Sequence, residues 1–318
     1  MLKKYYIAAD GGGSKLQTVL YDECFRVIRT ERIAGVNTLF KPESLVRESV
    51  GEMIDGLLDG LDGVIAGADL CMLGAVDIMS SVIRRHSPDA DIRMIEEPVA
   101  GLASALKTGG AVSLSGTGSD AFFVKEGKTL SVVGGWGPLL GDEGSGYDIG
   151  LSAIRAAIYS HDGRGEKTAI YDLIMEEWKL RDLWEIVTRL AGNPDARHQV
   201  ASVAALCSRA AKAGDCVALG IYEKAADALF LQIRTAINRH YEDWDGTVAV
   251  MGGAWKGHTV MLERFEAQLV REYPIARVFH PIFEPVAGCA VLRGLSMGHS
   301  IPFLRAAMTD GFSIFLHP

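Results

Sequence analysis

Short apolar runs and amphipathic stretches alternate along this chain. Residues 5–9 and residues 16–21 are apolar runs, and a glycine-rich stretch separates them. Short runs of this kind, bounded by turn-forming residues, predict β-strands. Residues 43–58 repeat apolar side chains at helical spacing, which predicts an amphipathic helix. The N-terminal region therefore predicts two strands followed by a helix.

The same alternation continues towards the C-terminus. Ile221, Ala225, Leu229, Ile233 and Ile237 keep an i+4 step, so we expect this face of a helix to meet a core. Strands mixed with helices in both halves predict an α/β fold whose sheets are covered by helices. The other predicted segments are short buried strands at 68–76 and 91–97, three strands separated by turns at 109–137, a mostly helical stretch at 145–240, a strand that begins near 246, and a helix over 260–270.

The length of the chain predicts more than one domain. For 318 residues the expectation is about two domains. No low-complexity linker interrupts the sequence, so we place a compact boundary near residues 110–115. The predicted N-terminal lobe is residues 1–112 together with a C-terminal helical segment, about 288–318, that folds back onto it. The predicted C-terminal lobe is residues 113–287.

Charge and cysteine usage exclude several classes of protein. The formal net charge is −8, and no cluster of lysine and arginine could follow a nucleic-acid backbone. The densest basic run, residues 84–86, is interpreted as a solvated helix end. The five cysteines form no CxxC pair, which argues against a disulfide framework, a zinc site or an iron–sulfur cluster. We therefore expect no nucleic acid among the partners.

The distribution of apolar residues argues against a membrane protein. No apolar run approaches the ~20 residues that span a bilayer, and the N-terminal residues lack the apolar segment of a signal peptide. We expect a cytoplasmic protein. The apolar C-terminal tail predicts either internal packing or a homodimer interface, and its residues are Phe312, Ile314, Phe315 and Leu316.

The glycine-rich stretch at residues 10–15, DGGGSK, raises the question of phosphate binding. A dinucleotide-binding fingerprint requires its glycines to open a helix, but here they lead into a strand-like segment. A P-loop requires G-x-x-x-x-G-K-[ST], and the similar EGKT at 126–129 has Phe122 in place of the first glycine. The remaining interpretation is a β-hairpin whose turn amides hold phosphate.

A second hairpin of the same kind follows about a hundred residues later. The segment AVSLSGTGSDAFFVKEG, residues 111–127, again places a glycine-rich turn and a serine between two apolar strands. This internal similarity indicates two related lobes. Chance similarity between two glycine-rich hairpins is the alternative.

Several motifs, in order along the chain, together resemble one superfamily. DGGGSK resembles the first phosphate loop of the actin, hexokinase and Hsp70 superfamily, and SLSGTGSD the second. Within that superfamily the chain resembles the N-acetylglucosamine kinases of the BadF/BadG/BcrA/BcrD ATPase family. The further motifs are VAVMGGAWKG (248–257), similar to an adenosine-binding stretch, GGWGPLLGDEGSGYDIG (134–150), similar to a sugar-binding segment, and RGEKT (164–168), similar to bacterial kinases of N-acetylglucosamine and N-acetylmuramic acid.

The resemblance implies a fold, an activity and cofactors. The fold is the two-lobed actin-like ATPase (ribonuclease H-like) fold, in which each lobe is a mixed sheet flanked by helices. The activity is ATP- and Mg²⁺-dependent transfer of the γ-phosphoryl group to a hydroxyl, the 6-OH, of an amino sugar such as N-acetylglucosamine or N-acetylmuramic acid. Closure of the two lobes would exclude water that could otherwise accept the phosphoryl group.

The resemblance also assigns nucleotide-binding residues. Asp10 ends the first strand at the turn, where a carboxylate can hold Mg²⁺ through water. An ordinary tight hairpin and an ordinary strand-to-helix turn are the structural alternatives for these glycines. Lys15 is either a phosphate ligand or a solvated edge residue. The residues expected at the phosphates are Gly11, Gly12, Gly13, Ser14, Lys15, Thr117 and Gly118, and those expected at adenosine are Gly252, Gly253 and Gly257.

A further set is expected to bind the sugar. Asn37 could donate to and accept from hydroxyls, or simply form a turn. Trp136 could support the apolar face of a pyranose or be a buried structural residue. The full set of expected sugar-binding residues is Asn37, Ser119, Asp120, Gly135, Trp136, Gly137 and Asp142.

The catalytic base is where the chain departs from the family pattern. The family places an aspartate after the strand that precedes the second phosphate loop, whereas this chain has IEEPVAGLAS at 95–104. Alignment of that segment puts Glu97 at the aspartate position, with Glu96 as the alternative. The same segment resembles one in Hsp70-type chaperones whose glutamate does not activate a sugar. A sugar-independent ATPase switch or activator and a non-catalytic sensor therefore stay open as alternatives to a sugar kinase.

Overall fold

The chain forms two compact units, each with a five-stranded sheet at its centre. The computed structural model describes residues 2–11, 15–38, 41–72 and 74–316. Unit 1 consists of Met1–Gly109, Glu126–Lys128 and Pro281–Pro318, and unit 2 of Gly110–Lys125 and Thr129–His280. Mixed sheets flanked by helices in both units confirm the predicted α/β fold class.

Unit 1 is built from five strands and five longer helices within the described residues. The strands lie in the order β3-β2-β1-β4-β5. The pairs β1–β2 and β2–β3 are antiparallel, whereas β1–β4 and β4–β5 are parallel. The elements are β1 (Lys4–Gly11), β2 (Lys15–Asp22), β3 (Val27–Ala34), α1 (Glu43–Leu58), β4 (Val64–Met72), α2 (Val76–His86), β5 (Asp91–Met94), α3 (Glu97–Ser104) and, after unit 2, α10 (Pro285–Ser296), α11 (Ile301–Gly311) and a 3₁₀ turn at Ser313–Phe315.

The central strand β1 is buried on both faces. Successive side chains of a strand point to opposite faces of its sheet. Ile7 and Ala9 accordingly join the core formed with α1 and α2, while Tyr6 and Ala8 join the core formed with α3, α10 and α11. The site residues at the end of β1 therefore stand on a strand that is packed from both sides.

Unit 2 repeats the sheet arrangement of unit 1. Its strands lie in the order β10-β9-β6-β7-β8, with β6 antiparallel to β7 and parallel to β9. The elements are β6 (Gly110–Ser115), β7 (Ser119–Lys125), β8 (Lys128–Gly134), α4 (Gly146–Asp162), α5 (Ile170–Glu177), α6 (Glu185–Leu190), α7 (Ala196–Lys212), α8 (Cys216–Asn238), β9 (Thr247–Met251), α9 (Thr259–Glu272) and β10 (Arg277–Phe279), with 3₁₀ turns at Tyr241–Asp243 and Gly253–Lys256.

Most of the predicted elements are confirmed. Helix α1 has the predicted bounds, and the basic run at 84–86 is the exposed last turn of α2. The i+4 row on α8 faces the core of unit 2: four of its residues are buried, and Ile221 is partly buried against that core. In the apolar tail, Phe312 and Phe315 are buried while Ile314 is exposed.

The predicted strand at 91–97 is wrong over its second half. Strand β5 ends at Met94, and Glu97 already begins α3. Pro98 explains the change, because proline fits the first turn of a helix, where its missing N–H is not needed. This correction places Glu97 at a helix N-terminus rather than at a strand end. Among the described residues, no helix is both long and apolar enough to span a bilayer.

Candidate active site

Asp10 occupies the end of the central strand in unit 1. It pairs with Gln17 on β2 and with Cys71 on β4. Burial raises the pKa of its carboxyl to about 6; the Lys15 charge and a hydrogen bond from the Cys71 thiol lower that pKa, and the Glu284 charge raises it. Hydrogen bonding to Cys289 and burial raise the pKa of the Cys71 thiol far above its usual value, so this thiol stays protonated.

Glu97 is the second carboxylate of this part of unit 1. It is the first residue of α3, and it is exposed to solvent, whereas the helix residues that follow it are buried. Loss of hydration of its carboxylate raises its pKa above the usual value for glutamate, and the charge of Asp10 raises it further. Two carboxylates that disfavour each other's ionisation would both be stabilised by a cation.

These groups fit a magnesium ion. Mg²⁺ prefers oxygen ligands and is commonly held by one or two carboxylates together with phosphate oxygens and water. Asp10 would supply such a carboxylate. Within the described ranges, no group of three or more His, Cys, Asp or Glu side chains could enclose a metal ion.

The first phosphate loop is described only at its two ends. Gly11 pairs with Leu16 across the hairpin, and a Cβ at Gly11 would lie 2.6 Å from Cδ1 of Leu16. Lys15 starts β2 close enough to Asp10 to influence its pKa. The predicted phosphate ligands Gly12, Gly13 and Ser14 lie outside the described residues.

Asn37 is a buried polar residue on the loop after β3 in unit 1. Gly74 has a φ of +89°, and a Cβ there would lie 2.8 Å from Oδ1 of Asn37. The neighbouring Thr38 donates its hydroxyl to the carbonyl of Gly74 at 2.8 Å. The glycine thus makes room for the amide of Asn37 and holds its loop.

In unit 2 the turn predicted to be the second phosphate turn, residues 116–118, is held by its carbonyl groups. The carbonyls of Gly116 and Thr117 accept from the first two amides of α4, at 2.8 and 3.3 Å, and that of Gly118 accepts from Gly116 at 2.9 Å. The N–H groups of Thr117 and Gly118 donate to no main-chain carbonyl of the described residues. The turn therefore keeps two amide donors for a ligand.

Two serines of this hairpin hold the predicted sugar segment in place. Ser115 donates to the carbonyl of Gly144 and Ser119 to that of Glu143, each at 2.7 Å. Ser119 was expected to bind sugar, but its hydroxyl donates within the protein. Asp148 accepts from the N–H of Gly144 at 2.9 Å, and Ser145 caps α4 by accepting from the N–H of Asp148. Burial raises the pKa of Asp148, and the bond from Gly144 lowers it.

The other predicted sugar residues lie in different settings. Gly135 has a φ of +71°, and a Cβ there would lie 3.0 Å from Oδ2 of Asp120. Gly137 borders open space, and Trp136 is 74% exposed, so this tryptophan is not a buried structural residue. Asp142 is buried, adopts a left-handed backbone conformation, and accepts from Nη2 of Arg197 at 3.0 Å.

The glycines predicted at adenosine have unequal surroundings. A Cβ at Gly252 would overlap the carbonyl of Ser115, so this glycine permits close approach to the second phosphate turn. A Cβ at Gly257 would overlap the hydroxyl of Tyr222, and Gly253 borders open space. Gly252 and Gly253 are both exposed, whereas Gly257 is partly buried.

The structure thus brings the predicted residues together in two sets. In unit 1, the charge of Lys15 lowers the pKa of Asp10, and the charge of Asp10 raises that of Glu97. In unit 2, the turn at 116–118 contacts the segment around Asp142. Sequence reasoning missed Cys71, which lies inside an apolar strand pattern, and Arg197, which lies 55 positions from its partner Asp142 in no recognisable motif.

Comparison with known proteins identifies the family. The model of the BadF/BadG/BcrA/BcrD ATPase family matches residues 9–293, which include both predicted phosphate turns, Glu97 and the sugar segment. The chain belongs to this family. The resemblance drawn from the motifs is therefore confirmed.

Relatives of this ATPase family member include sugar kinases. The chain is 28% identical over 302 residues to the N-acetylmuramic acid/N-acetylglucosamine kinase of Clostridium acetobutylicum, covering 91% of this chain and 98% of that protein. It is 25% identical over 315 residues to the N-acetyl-D-glucosamine kinase of Dictyostelium discoideum, covering 92% and 98%. Its fold is similar to that of a ROK family glucokinase from Streptomyces griseus, with a TM-score of 0.60, 15% identity, and coverage of 93% and 100%.

Proposed function

We propose that this protein is an ATP-dependent sugar kinase that phosphorylates the 6-OH of an amino sugar, N-acetylglucosamine or N-acetylmuramic acid. The observation that carries the proposal is the placement of two carboxylates, Asp10 near the end of β1 and Glu97 at the start of α3, where the charge of Asp10 raises the pKa of Glu97. Perturbed carboxyl groups of this kind mark sites of proton transfer and metal binding. The full-length similarity to two amino-sugar kinases supports the substrate class.

In the proposed mechanism the two carboxylates have different roles. Asp10 would hold Mg²⁺, which would supply neutralisation of the charge on the phosphates. Glu97 accepts the proton of the attacking hydroxyl, for which a raised pKa suits a base that works near neutrality. The amides of Thr117 and Gly118 and the Lys15 ammonium would bind phosphate oxygens. Asn37 and Asp142 would bind sugar hydroxyls.

The first test is a coupled assay of ADP release with ATP and Mg²⁺. The acceptors are N-acetylglucosamine, N-acetylmuramic acid, glucosamine, glucose and no sugar, with identification of the phosphorylated hydroxyl by NMR. We expect turnover that depends on an amino sugar. Glu97→Gln should lower kcat by about 10²- to 10⁴-fold, because the attacking hydroxyl loses its proton acceptor.

Glu96→Gln is the matched comparison, because Glu96 adjoins Glu97 but lies just outside α3 as its N-cap residue. Loss of activity in Glu96→Gln with activity kept in Glu97→Gln would move the base to Glu96. ATP hydrolysis that is indifferent to every sugar and to both substitutions would contradict the kinase and favour an ATPase switch.

A further inference from the structure

Arg197 lies beside the second phosphate turn, although no motif of the sequence marks it. It is the second residue of α7, and its Nη2 donates to Oδ2 of Asp142 at 3.0 Å. An ideal Cβ on Gly118 would lie 3.1 Å from the same Nη2. The guanidinium therefore bonds the buried carboxylate and lies beside the turn at 116–118.

Arg197 has more donors than this carboxylate uses. A guanidinium carries five N–H donors in a planar arrangement that suits carboxylate and phosphate groups. Its bond to Asp142 is made through one terminal nitrogen, and 46% of its side chain is exposed, whereas that of Asp142 is almost fully buried. Asp142 thus holds one nitrogen of an arginine whose side chain is nearly half exposed.

The adjoining turn adds donors of the same kind. The N–H groups of Thr117 and Gly118 have no main-chain acceptor among the described residues, whereas the carbonyls of Gly116, Thr117 and Gly118 are all bonded inward. Main-chain N–H groups of a turn that have no main-chain acceptor can donate to an anion. A guanidinium next to these amides adds a charge-assisted donor. Together they fit an anion with several oxygens.

We infer that Arg197 binds the phosphoryl group during its transfer and so is a catalytic residue of this enzyme. The inference rests on the proposed kinase function. Its position supports a phosphoryl group, because Arg197 lies beside the turn expected to hold phosphate and bonds Asp142, which is expected to bind the sugar. A carboxylate on an acidic sugar is the other anion of similar shape, and the experiment separates the two.

The test compares Arg197→Met and Arg197→Lys with wild type in the full chain. The matched control is Arg209→Met, which removes an exposed arginine three turns further along the same helix. We measure kcat and KM with neutral N-acetylglucosamine and with acidic N-acetylmuramic acid. Removal of one preorganised donor to a developing charge costs about 10²- to 10³-fold in kcat.

We expect Arg197→Met to lower kcat by that factor with both sugars, and Arg197→Lys to retain part of the rate because it keeps the charge. Arg209→Met should behave as wild type. A loss confined to the KM for N-acetylmuramic acid would overturn the inference and assign Arg197 to the sugar carboxylate. A rise in KM for both sugars with kcat unchanged would reduce Arg197 to a positioning residue for Asp142.

A binding measurement keeps the inference separate from the kinase proposal. Calorimetric titration with Mg²⁺ compares ADP with the non-hydrolysable triphosphate AMPPNP. We expect Arg197→Met to weaken AMPPNP about tenfold or more and to leave ADP unchanged, because the additional phosphate contacts the guanidinium. Equal affinities in wild type and variant would overturn the inference. Absence of sugar-dependent turnover in wild type would instead overturn the kinase, whatever the titration shows.

Discussion

At the scale of single residues, the site is defined by groups that are poorly suited to their surroundings. Asp10 stands at the end of a strand that is packed on both faces, where a carboxylate would rather be neutral. A neutral amide of the same size would not carry this cost of losing hydration. A carboxylate in such a place costs folding free energy, and binding of a cation offsets this cost. Residues of this kind are found at functional sites because stability alone does not select them.

Asp10→Asn should therefore stabilise the protein in the absence of metal and nucleotide. The carboxyl has a pKa of about 6 in the folded chain and about 3.9 in an unfolded one. Above pH 6 the ionised form destabilises the folded state by up to about 3 kcal/mol, a cost that disappears as the pH falls from 6 towards 4. We expect a higher unfolding midpoint for Asp10→Asn at pH 8 and a smaller gain at pH 4.5, measured by urea denaturation.

The same variant should lose kinase activity at every pH, since an amide cannot replace the carboxylate at Mg²⁺. An Asp10→Asn protein that is less stable than wild type at pH 8 would contradict the cost assigned to this carboxylate.

At the scale of elements, the predicted site residues stand where strands or helices begin and end. Asp10 lies next to the end of β1, Glu97 begins α3, and the turn at 116–118 joins β6 to β7. Main-chain hydrogen bonds hold the turn at 116–118, and glycines without a side chain allow neighbouring segments to approach closely. Gly74 is one such contact, because it allows Asn37 to approach the loop that precedes α2.

Gly74→Ala should raise the KM for the sugar about tenfold and leave kcat nearly unchanged. The new Cβ would displace the Asn37 amide, from which it would lie only 2.8 Å. Gly60→Ala is the matched control, because Gly60 also has a positive φ, +63°, but borders open space. Both substitutions should cost about 1 kcal/mol of stability through backbone strain. Equal KM values in the two variants would remove Asn37 from the sugar site.

At the scale of the whole molecule, the sheets of the two units share the same pattern of strand order and strand direction. In each sheet a central strand, β1 or β6, pairs antiparallel with the strand that follows it in the chain and parallel with a later one. The C-terminal segment belongs to unit 1, where α10 packs against α3 and β1. Arg293 of α10 is buried and bonds Asp69 at 2.7 Å and Asp91 at 2.5 Å.

Arg293→Met should destabilise the protein by about 3–5 kcal/mol, because it leaves the fully buried Asp69 with Arg93 as its remaining ionic partner. Arg305→Met on the exposed face of α11 is the control and should change stability by less than about 0.5 kcal/mol. Urea unfolding followed by circular dichroism measures both. Similar midpoints would show that the C-terminal segment contributes little to unit 1.

Local patterns in the sequence were enough for much of the fold. The bounds of α1 follow from its helical spacing, and the strand–turn–strand order of each hairpin follows from apolar runs around glycines. The end of strand β5 shows where local patterns fail. The strand pairs through only four residues at the edge of the sheet. Pro98 is compatible with the end of a strand as well as with the first turn of a helix, so the local sequence does not decide where the strand stops. The quoted motifs also resemble those of one family, and the family match over residues 9–293 confirms this resemblance.

The sequence by itself determined the α/β class, the family and the two glycine-rich hairpins, because these depend on periodicity and on motifs within short stretches of chain. Only the tertiary structure decided that Cys71 donates to Asp10, that the Ser119 hydroxyl is bonded inward, and that Arg197 contacts Asp142 and the second phosphate turn. Such contacts join residues far apart in the chain. They depend on how strands and helices pack, and no local periodicity encodes which distant side chains then meet.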